Sequence, residues 1–193
     1  MLRIISGKYK KFKLNLVPSC KTKSSTHLIR KALFDTVGYI IENSVVLDLF
    51  SGSGAYGFEA LSRNAKIIYM VDNSFSAYKT IRKNQQKLNL SRHQTRVFYS
   101  DAFKILKMFI AKKLVFDLII VDPPYFYDLN ILYKHLFVNF DKITNDNSWI
   151  IYETDHKKLM PSIMDKFYLT KNKKYGRKKL MFYKKNIFSN EKV

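Results

Sequence analysis

The chain has little cysteine, glycine and proline, and few acidic residues. Cys20 is the only cysteine among 193 residues, which excludes an internal disulfide and indicates a reducing compartment. The four histidines and Cys20 show no metal-ligand spacing, so we expect no metal site. The apolar run at the amino terminus is too short for a signal peptide, and no stretch approaches the ~20 apolar residues that cross a membrane. These absences predict a cytoplasmic protein.

Negative charge is scarce relative to positive charge. The chain has 35 Lys and Arg residues against 15 Asp and Glu, for a formal net charge of +20. Such an excess favours a polyanionic partner, and nucleic acid is the commonest one. An A/T-rich coding sequence also enriches lysine together with Asn, Ile, Tyr and Phe, so the charge by itself leaves compositional drift open. The sequence motifs distinguish nucleic-acid binding from compositional drift.

Short apolar runs alternate with helical segments from residue 45 onward. The runs 45–49, 67–71, 96–99, 116–121 and 149–152 predict strands, and helices are predicted after them near 55–63, from 74, and near 102–112, 129–140 and 157–164. The tail differs, because 166–174 and 179–185 flank Tyr175-Gly176-Arg177 and predict an antiparallel hairpin. The sequence therefore predicts an α/β fold with a doubly wound, mostly parallel, seven-stranded, Rossmann-like sheet.

Residues 1–43 are predicted to be a basic extension of a single domain over 1–193, whose cofactor-binding and catalytic core is 44–193. Residues 3–14 predict a hairpin that turns at Gly7, and Thr26 is expected to cap a helix. Basic side chains that are predicted to follow a phosphate backbone are Lys8, Lys10, Lys11, Lys13 and Lys23. The alternative is an ordinary solvated hairpin with surface lysines.

A glycine-rich turn follows the first predicted strand. The stretch 48–57 contains Gly-x-Gly-x-x-Gly between a strand and a helix, which lets the backbone approach a ligand closely, although dinucleotide enzymes share the pattern. Asp48 would repel a pyrophosphate, but it suits the amino group or sulfonium of S-adenosylmethionine. Asp72 ends the next strand, where an acid binds ribose hydroxyls. The predicted contacts to this cofactor are Asp48, Ser51, Gly52, Ser53, Gly54 and Asp72.

Asp101 follows the third predicted strand and precedes Ala102, which we also assign to the cofactor site. At this position a carboxylate can accept a hydrogen bond from the adenine amino group. It can equally cap the helix that follows, and the two roles are compatible.

The fourth strand is followed by Asp122-Pro123-Pro124-Tyr125. An exocyclic base amine is a poor nucleophile, because its lone pair is delocalised into the ring. The Asp122 carboxylate and the Pro123 carbonyl can each accept one N–H of that amine, and two prolines hold the acceptors rigidly. Tyr125 offers a ring on which a flipped base can stack. We therefore predict that Asp122, Pro123 and Tyr125 carry out methyl transfer to such an amine.

The order of these motifs resembles that of class I methyltransferases, and the whole chain resembles the RsmD family. The matching stretches are Arg3-Ile-Ile-Ser-Gly-Lys8, Ile29-Arg30-Lys-Ala-Leu-Phe34, Leu47-Asp-Leu-Phe-Ser-Gly-Ser-Gly54, Gly57-Phe-Glu-Ala-Leu-Ser-Arg63, Val121-Asp-Pro-Pro-Tyr125 and Tyr175-Gly176. The resemblance implies methylation of guanine N2 in 16S ribosomal RNA, within the small ribosomal subunit. It also implies that Arg30 contacts the RNA together with the lysines.

Two other functions remain open from the residues alone. A DNA adenine-N6 methyltransferase uses the same four-residue motif, although this chain lacks an extra segment long enough to read a duplex. A non-catalytic RNA-binding protein of the ribosome would explain the charge but not the motifs. Glu153 ends the fifth strand without an assigned role, and the basic run 171–185 is interpreted as a solvated face.

Overall fold

A computed structural model describes residues 2–18, 27–124 and 127–185. Its strands are β1 Val45–Leu49, β2 Ile67–Asp72, β3 Thr95–Tyr99, β4 Phe116–Val121, β5 Thr144–Asp155, β6 Ile163–Met164, β7 Phe167–Tyr175 and β8 Lys178–Lys185. Its α-helices are α1 His27–Val37, α2 Ala55–Ser62, α3 Phe75–Lys87, α4 Ala102–Ala111, α5 Leu129–Leu132 and α6 Val138–Phe140. A π-helical turn, Tyr133–Phe137, joins α5 to α6, and 3₁₀ turns at Gly38–Ile40 and Asp141–Ile143 follow α1 and α6.

The strands form one sheet in the order β3-β2-β1-β4-β5-β8-β7-β6. Strands β1 to β5 are parallel, whereas β8, β7 and β6 pair antiparallel at one side. The predicted doubly wound sheet with a carboxy-terminal antiparallel hairpin is therefore confirmed. The prediction of seven strands is wrong by one, because the two-residue β6 pairs with the free edge of β7.

The helix predicted near residues 157–164 does not form. The chain instead turns after β5 and enters β6. Pro161 lies in the middle of this stretch and cannot donate a helical hydrogen bond. Its carbonyl accepts a hydrogen bond from the Tyr183 hydroxyl at 2.8 Å, which ties the segment to β8.

Apolar side chains cover both faces of the sheet, as expected for parallel strands between helices. Successive residues of β4 point to opposite sides, so that Leu118 and Ile120 pack with α1 and α2 while Ile119 and Val121 pack with α4. The same alternation in β1 places Asp48 on the face that α2 covers. Within the described part of the chain, no helix has both the length and the apolar character needed to span a bilayer.

The amino-terminal segment is a docked loop rather than a regular hairpin. Its predicted strands are reduced to a single antiparallel bridge between Arg3 and Lys13. The backbone N–H groups of Ile5 and Ser6 donate to the Glu59 carboxylate at 2.7 and 3.0 Å, and Lys8 N–H donates to the Ser62 carbonyl at 2.8 Å. The carboxy-terminal half of α2 thus supplies part of the hydrogen bonds of the segment, and others are hairpin-like bonds within it, from Ile4 N–H to Phe12 O and from Leu14 N–H to Leu2 O, both at 3.0 Å. Thr26, the expected cap of α1, lies outside the described residues.

Arg30 is buried, which corrects the prediction from the family resemblance that it contacts RNA. Its side chain is 1% exposed and donates to the Arg3 carbonyl at 2.5 Å. Its Nε lies 3.7 Å from the fully buried Glu59 carboxylate, which Arg63 also contacts at 2.9 Å. Burial lowers the pKa of Arg30, and the neighbouring Glu59 opposes that shift. Arg30 therefore helps to attach the amino-terminal segment to α2.

We expect Gly7→Ala to destabilise this attachment. Gly7 has a φ of +79°, and an added Cβ would lie 1.7 Å from the Ser62 carbonyl oxygen, so the loop has to move. Overpacking of this kind costs about 1–3 kcal/mol, in addition to the strain of a left-handed alanine. Urea unfolding of the variant measures the loss.

Gly176→Ala is the matched control for Gly7→Ala. Gly176 has a similar φ of +58°, but an added Cβ would meet nothing within 4 Å. It should report the backbone strain alone. Equal losses of stability in the two variants would show that the contact with Ser62 is unimportant.

Candidate active site

The glycine-rich turn connects β1 to α2 through three left-handed residues. Phe50, Gly52 and Gly54 have φ values of 63°, 54° and 78°. A Cβ on Gly54 would lie 2.7 Å from the Phe58 ring, so this position needs glycine for space as well as for conformation. Ser51 joins the two strands, because its hydroxyl donates to the Asp48 carbonyl at 2.6 Å and accepts from Val71 N–H at 3.0 Å. The turn is therefore a rigid rim at the carboxyl end of β1.

Asp48 is a buried carboxylate at this rim, with 1% of its surface exposed. Its Oδ2 accepts a hydrogen bond from Gly57 N–H at 3.1 Å, whereas Oδ1 has no partner among the described residues. Burial raises the pKa of Asp48 to about 8, and the negative charges of Asp122 and Asp72 add to the shift. A buried acceptor without a donor, next to two further carboxylates, fits a positively charged donor such as the amino group of S-adenosylmethionine.

Asp72 lies at the end of β2 and holds the glycine-rich turn in place. Its Oδ2 accepts from Gly52 N–H and its Oδ1 from Ser74 N–H, both at 2.8 Å. Burial raises its pKa, and these two hydrogen bonds oppose the shift. Each oxygen keeps a second lone pair, so the carboxylate can still accept from a ribose hydroxyl.

Asp101 caps α4, as one of its two predicted roles requires. Its Oδ1 accepts hydrogen bonds from Phe103 N–H at 2.9 Å and Lys104 N–H at 3.1 Å. Both bonds use one oxygen, which leaves Oδ2 for a donor such as the adenine amine. Ala102, the first residue of α4, is buried beside it.

The rings of Phe50, Phe103 and Tyr127 pack together near Asp72 and Asp101. The Tyr127 ring lies 5.6 Å from Phe50 and 5.7 Å from Phe103, centroid to centroid. Burial raises the pKa of Tyr127, and the charges of Asp101 and Asp72 contribute, which places its hydroxyl in their field. No sequence pattern marks Tyr127, because it lies in a loop after the proline motif.

Asp122 belongs to a network of charged groups at the carboxyl ends of β4 and β5. The Lys178 ammonium, at the start of β8, lies 3.9 Å from Asp122 Oδ1 and also forms a close ion pair with Glu153. Glu153 is 1% exposed and accepts a short hydrogen bond from the Tyr56 hydroxyl. Pro123 is buried after Asp122, whereas Tyr125 lies outside the described residues.

The interpretation of the run 171–185 as a solvated face is therefore wrong for Lys178. Its side chain is only 14% exposed, because β8 pairs antiparallel with β5 and places Lys178 opposite Asp155, at the carboxyl ends of the parallel strands. Glu153, which had no assigned role, is the buried partner of Lys178. The Tyr175-Gly176-Arg177 turn is the sequence feature that indicates this position for Lys178. A hairpin that turns there returns the chain to the carboxyl end of β5.

The amino-terminal lysines are accessible but lie far from this edge. Lys8, Lys10, Lys11 and Lys13 are exposed, and Lys23 lies outside the described residues. The loop is bound at the carboxy-terminal end of α2, whereas the glycine-rich turn precedes the other end. The eight residues of α2 separate the two by about 12 Å. Any RNA that contacts both has to span at least that distance.

The parallel sheet, the glycine-rich turn and the carboxylates at the ends of β1, β2 and β4 define a class I methyltransferase. Solved structures agree: YhhF from Escherichia coli has a TM-score of 0.81 at 26% identity over 96% of this chain and 98% of its own. A protein from Thermus thermophilus has a TM-score of 0.80 at 25% identity, over 94% and 98% of the two chains.

The chain belongs to the family described as "Conserved hypothetical protein 95", whose model matches residues 2–184. YlbH of Bacillus subtilis (strain 168) is 30% identical over 186 residues, which are 95% of this chain and 99% of YlbH. Ribosomal RNA small subunit methyltransferase D of Escherichia coli (strain K12) is 29% identical over 152 residues, or 79% of this chain and 71% of that protein. The predicted membership of the RsmD family is thereby confirmed.

Proposed function

We propose that this protein transfers a methyl group from S-adenosylmethionine to the exocyclic N2 amine of a guanine in small-subunit ribosomal RNA. The observation that carries the proposal is the placement of Asp122 and Asp48 at adjacent strand ends, beside the glycine-rich turn. The relatives named ribosomal RNA small subunit methyltransferase D support RNA as the substrate and the small subunit as its setting. The net charge of +20 agrees with a polyanionic substrate.

The residues present fit S-adenosylmethionine. We assign the amino group to Asp48, the ribose hydroxyls to Asp72 and the adenine amine to Asp101. Ser51, Gly52, Ser53 and Gly54 form the backbone rim, and Ala102 borders the adenine. When bound, this cofactor supplies a methyl group on a sulfonium, which is already an activated leaving group. The carboxylates of Asp72 and Asp122 give the pocket a negative potential that favours such a cation, and a bound cation in turn favours the charged form of Asp48.

Asp122 and Pro123 are proposed to hold the guanine amine. The carboxylate and the carbonyl each accept one N–H, which orients the nitrogen lone pair along the line of attack and favours its pyramidal form. The N–C bond to the methyl forms as the S–C bond breaks, and the surplus proton leaves to Asp122 or to solvent. Tyr125 is proposed as the ring on which the flipped guanine stacks. Positioning and electrostatics therefore provide the catalysis.

A single experiment tests the proposal. The protein is incubated with methyl-labelled S-adenosylmethionine and with ribosomal RNA, small subunits or DNA from a strain that lacks the enzyme, and the methylated nucleoside is identified. We expect N2-methylguanosine from RNA or small subunits. Label in N6-methyladenine of DNA would replace the proposal with the alternative DNA methyltransferase. No label in any substrate would favour a non-catalytic RNA-binding protein.

We expect Lys178→Met to lower turnover more than cofactor affinity. Lys178 contacts both Asp122 and Glu153. Its loss therefore lets the Asp122 carboxylate, the proposed acceptor for the guanine amine, change position. Misplacement of a reacting group by about 1 Å can cost roughly 100-fold in rate. Removing a cation from the pocket should not weaken the binding of a cationic cofactor, so the Kd for S-adenosylmethionine should stay level or fall.

Two further variants separate positioning from folding. Lys179→Met removes the next lysine of β8, which is also buried but donates to the Lys158 carbonyl at 2.5 Å, and turnover should be kept. The double variant Lys178→Met/Glu153→Gln removes both charges of the ion pair, so no unpaired buried charge is left. If the double variant is as active as wild type, Lys178 serves only to neutralise Glu153.

The exposed lysines of the amino-terminal loop are proposed to bind phosphates. Changing Lys10, Lys11 and Lys13 to Ala should flatten the dependence of RNA affinity on salt, by about one unit of log–log slope for each phosphate that is no longer bound. The affinity for S-adenosylmethionine should not change, because the loop lies at the other end of α2. Filter binding at several salt concentrations measures the slope. An unchanged slope would show that the loop is an ordinary solvated surface.

A further inference from the structure

Three aromatic rings form an exposed group at the outer edge of the sheet, which we call the outer aromatic cluster: Phe75, Tyr78 and Tyr99. The centroid of Tyr99 lies 5.5 Å from Phe75 and 6.1 Å from Tyr78, and Phe75 and Tyr78 stack at 6.3 Å. Phe75 is 52% exposed and Tyr99 is 57% exposed. The rings contact one another but belong to neither hydrophobic core. A group of neighbouring aromatic rings that is exposed to solvent is typical of a surface that binds a partner.

The cluster lies on the ligand-binding edge of the sheet. Phe75 begins α3, three residues after Asp72, and Tyr99 ends β3, two residues before Asp101. Both residues therefore lie close in the chain to the acids that are proposed to contact ribose and adenine. Asp122 follows β4, which is three strands away in the order β3-β2-β1-β4. At about 4.8 Å for each strand the separation is roughly 14 Å, the length of about four stacked nucleotides.

Positive charge accompanies the rings along α3. The Lys79 ammonium lies 4.4 Å from the centroid of the Phe75 ring, and Lys83 is exposed one turn further along the same face. Aromatic rings beside cations are the combination that binds single-stranded nucleic acid, because bases stack on rings while phosphates pair with lysines. An apolar ligand would gain nothing from these ammonium groups, whereas the net charge of +20 and the proposed RNA substrate favour a polyanion that carries bases.

We propose that the outer aromatic cluster binds an unpaired nucleobase of the RNA substrate, at some distance from the base that is methylated. The most exposed ring, Tyr99, is the stacking platform. Phe75 and Tyr78 support it from the side, and Lys79 pairs with the adjoining phosphate. The inference rests on the proposed function in that RNA is the substrate, and it adds a second, non-catalytic contact with a single-stranded stretch.

The test measures the affinity of Tyr99→Ala for a short single-stranded RNA oligonucleotide and, separately, for S-adenosylmethionine. We expect RNA affinity to fall about 5- to 140-fold, the range that corresponds to one lost base stack. The factor should be the same at two salt concentrations, because stacking releases no counterions. Tyr99→Phe should keep most of the affinity, since the ring remains. Lys79→Ala should instead lower the salt slope by about one unit.

Tyr39→Ala is the matched control. Tyr39 is 73% exposed and lies against Trp149, away from the catalytic edge, so RNA affinity should be unchanged. Equal affinities of Tyr99→Ala and Tyr39→Ala would overturn the proposal. So would a loss of cofactor affinity with RNA affinity kept, which would assign Tyr99 to the adenine pocket. An effect on assembled small subunits but not on naked RNA would overturn it in favour of a ribosomal protein contact.

The oligonucleotide experiment needs no methyl transfer. If wild-type protein binds the RNA through Tyr99 but methylates only DNA, the proposed function fails while the stacking contact stands. If methylguanosine forms normally and Tyr99→Ala binds RNA as wild type does, the stacking contact fails while the proposed function stands.

Discussion

Asp122→Ala is expected to reduce methyl transfer about 100- to 10,000-fold, the range that removal of a positioned proton acceptor produces. The carboxylate is the one charged side chain in the motif, and Lys178 lies 3.9 Å from it. RNA affinity should change little, because phosphate contacts away from one carboxylate dominate it. Single-turnover assays with labelled cofactor measure the rate, and filter binding measures the affinity.

Variants of Tyr125 provide the comparison for Asp122→Ala. Tyr125→Ala should lose a stacking platform worth about 1–3 kcal/mol, whereas Tyr125→Phe should lose much less because the ring remains. The expected order of damage is Asp122→Ala, then Tyr125→Ala, then Tyr125→Phe. Near-normal turnover of Asp122→Ala on every nucleic acid tested would exclude the proposed mechanism. Equal damage from the two Tyr125 variants would show that the hydroxyl is needed and not the ring.

Asp48→Asn is expected to stabilise the free protein at high pH while weakening cofactor binding. Burial raises the pKa of Asp48 to about 8, whereas the unfolded chain has the ordinary value near 3.8. The folded state therefore binds the proton more tightly, so the contribution of Asp48 to stability is fully present below pH 4 and is lost as the pH rises to about 8. With ~1.4 kcal/mol for each pKa unit, the loss from this group is on the order of 5 kcal/mol. An amide avoids that loss.

The same substitution removes the charged partner that we propose for the cofactor amino group. A hydrogen bond between charged groups is worth about 1.5–3 kcal/mol, so the Kd for S-adenosylmethionine should rise roughly 10- to 150-fold. Urea unfolding between pH 5 and pH 9 measures the stability, and titration calorimetry measures the affinity. Saturating cofactor should flatten the pH dependence of wild type. A wild-type stability that does not fall between pH 5 and pH 8 would show that Asp48 ionises normally and is not the buried acceptor described above.

Stability and function therefore compete at Asp48. The carboxylate is costly in the free protein, because burial and the neighbouring Asp122 and Asp72 oppose its charge. The hydrogen bond from Gly57 N–H offsets part of this cost, and we expect a cation bound in the pocket to offset more. This explains why one acid is placed in an apolar layer, opposite Met70 in the sheet, where a hydrophobic residue would pack better.

The sequence by itself determined the sheet and the positions of its main acids. Alternating apolar runs and helices predict parallel strands, and parallel strands end at the same edge. Asp48 lies one residue before the end of its strand, and Asp72, Asp101 and Asp122 end or follow theirs, so their neighbourhood follows from the chain order. Local patterning was sufficient here because strand direction, and not side-chain packing, decides which ends meet.

Only the tertiary structure decided which basic residues serve the site. Arg30 lies on an amphipathic helix and Lys178 in a run of lysines, and neither pattern distinguishes a buried side chain from a solvated one. The docking of the amino-terminal loop on Glu59 buries Arg30. The register between β5 and β8 directs Lys178 toward Asp122, and its neighbour Lys179 reaches the Lys158 carbonyl instead. A shift of one residue in that register would exchange the two lysines, and register is a property of the assembled sheet that the lysine run does not encode.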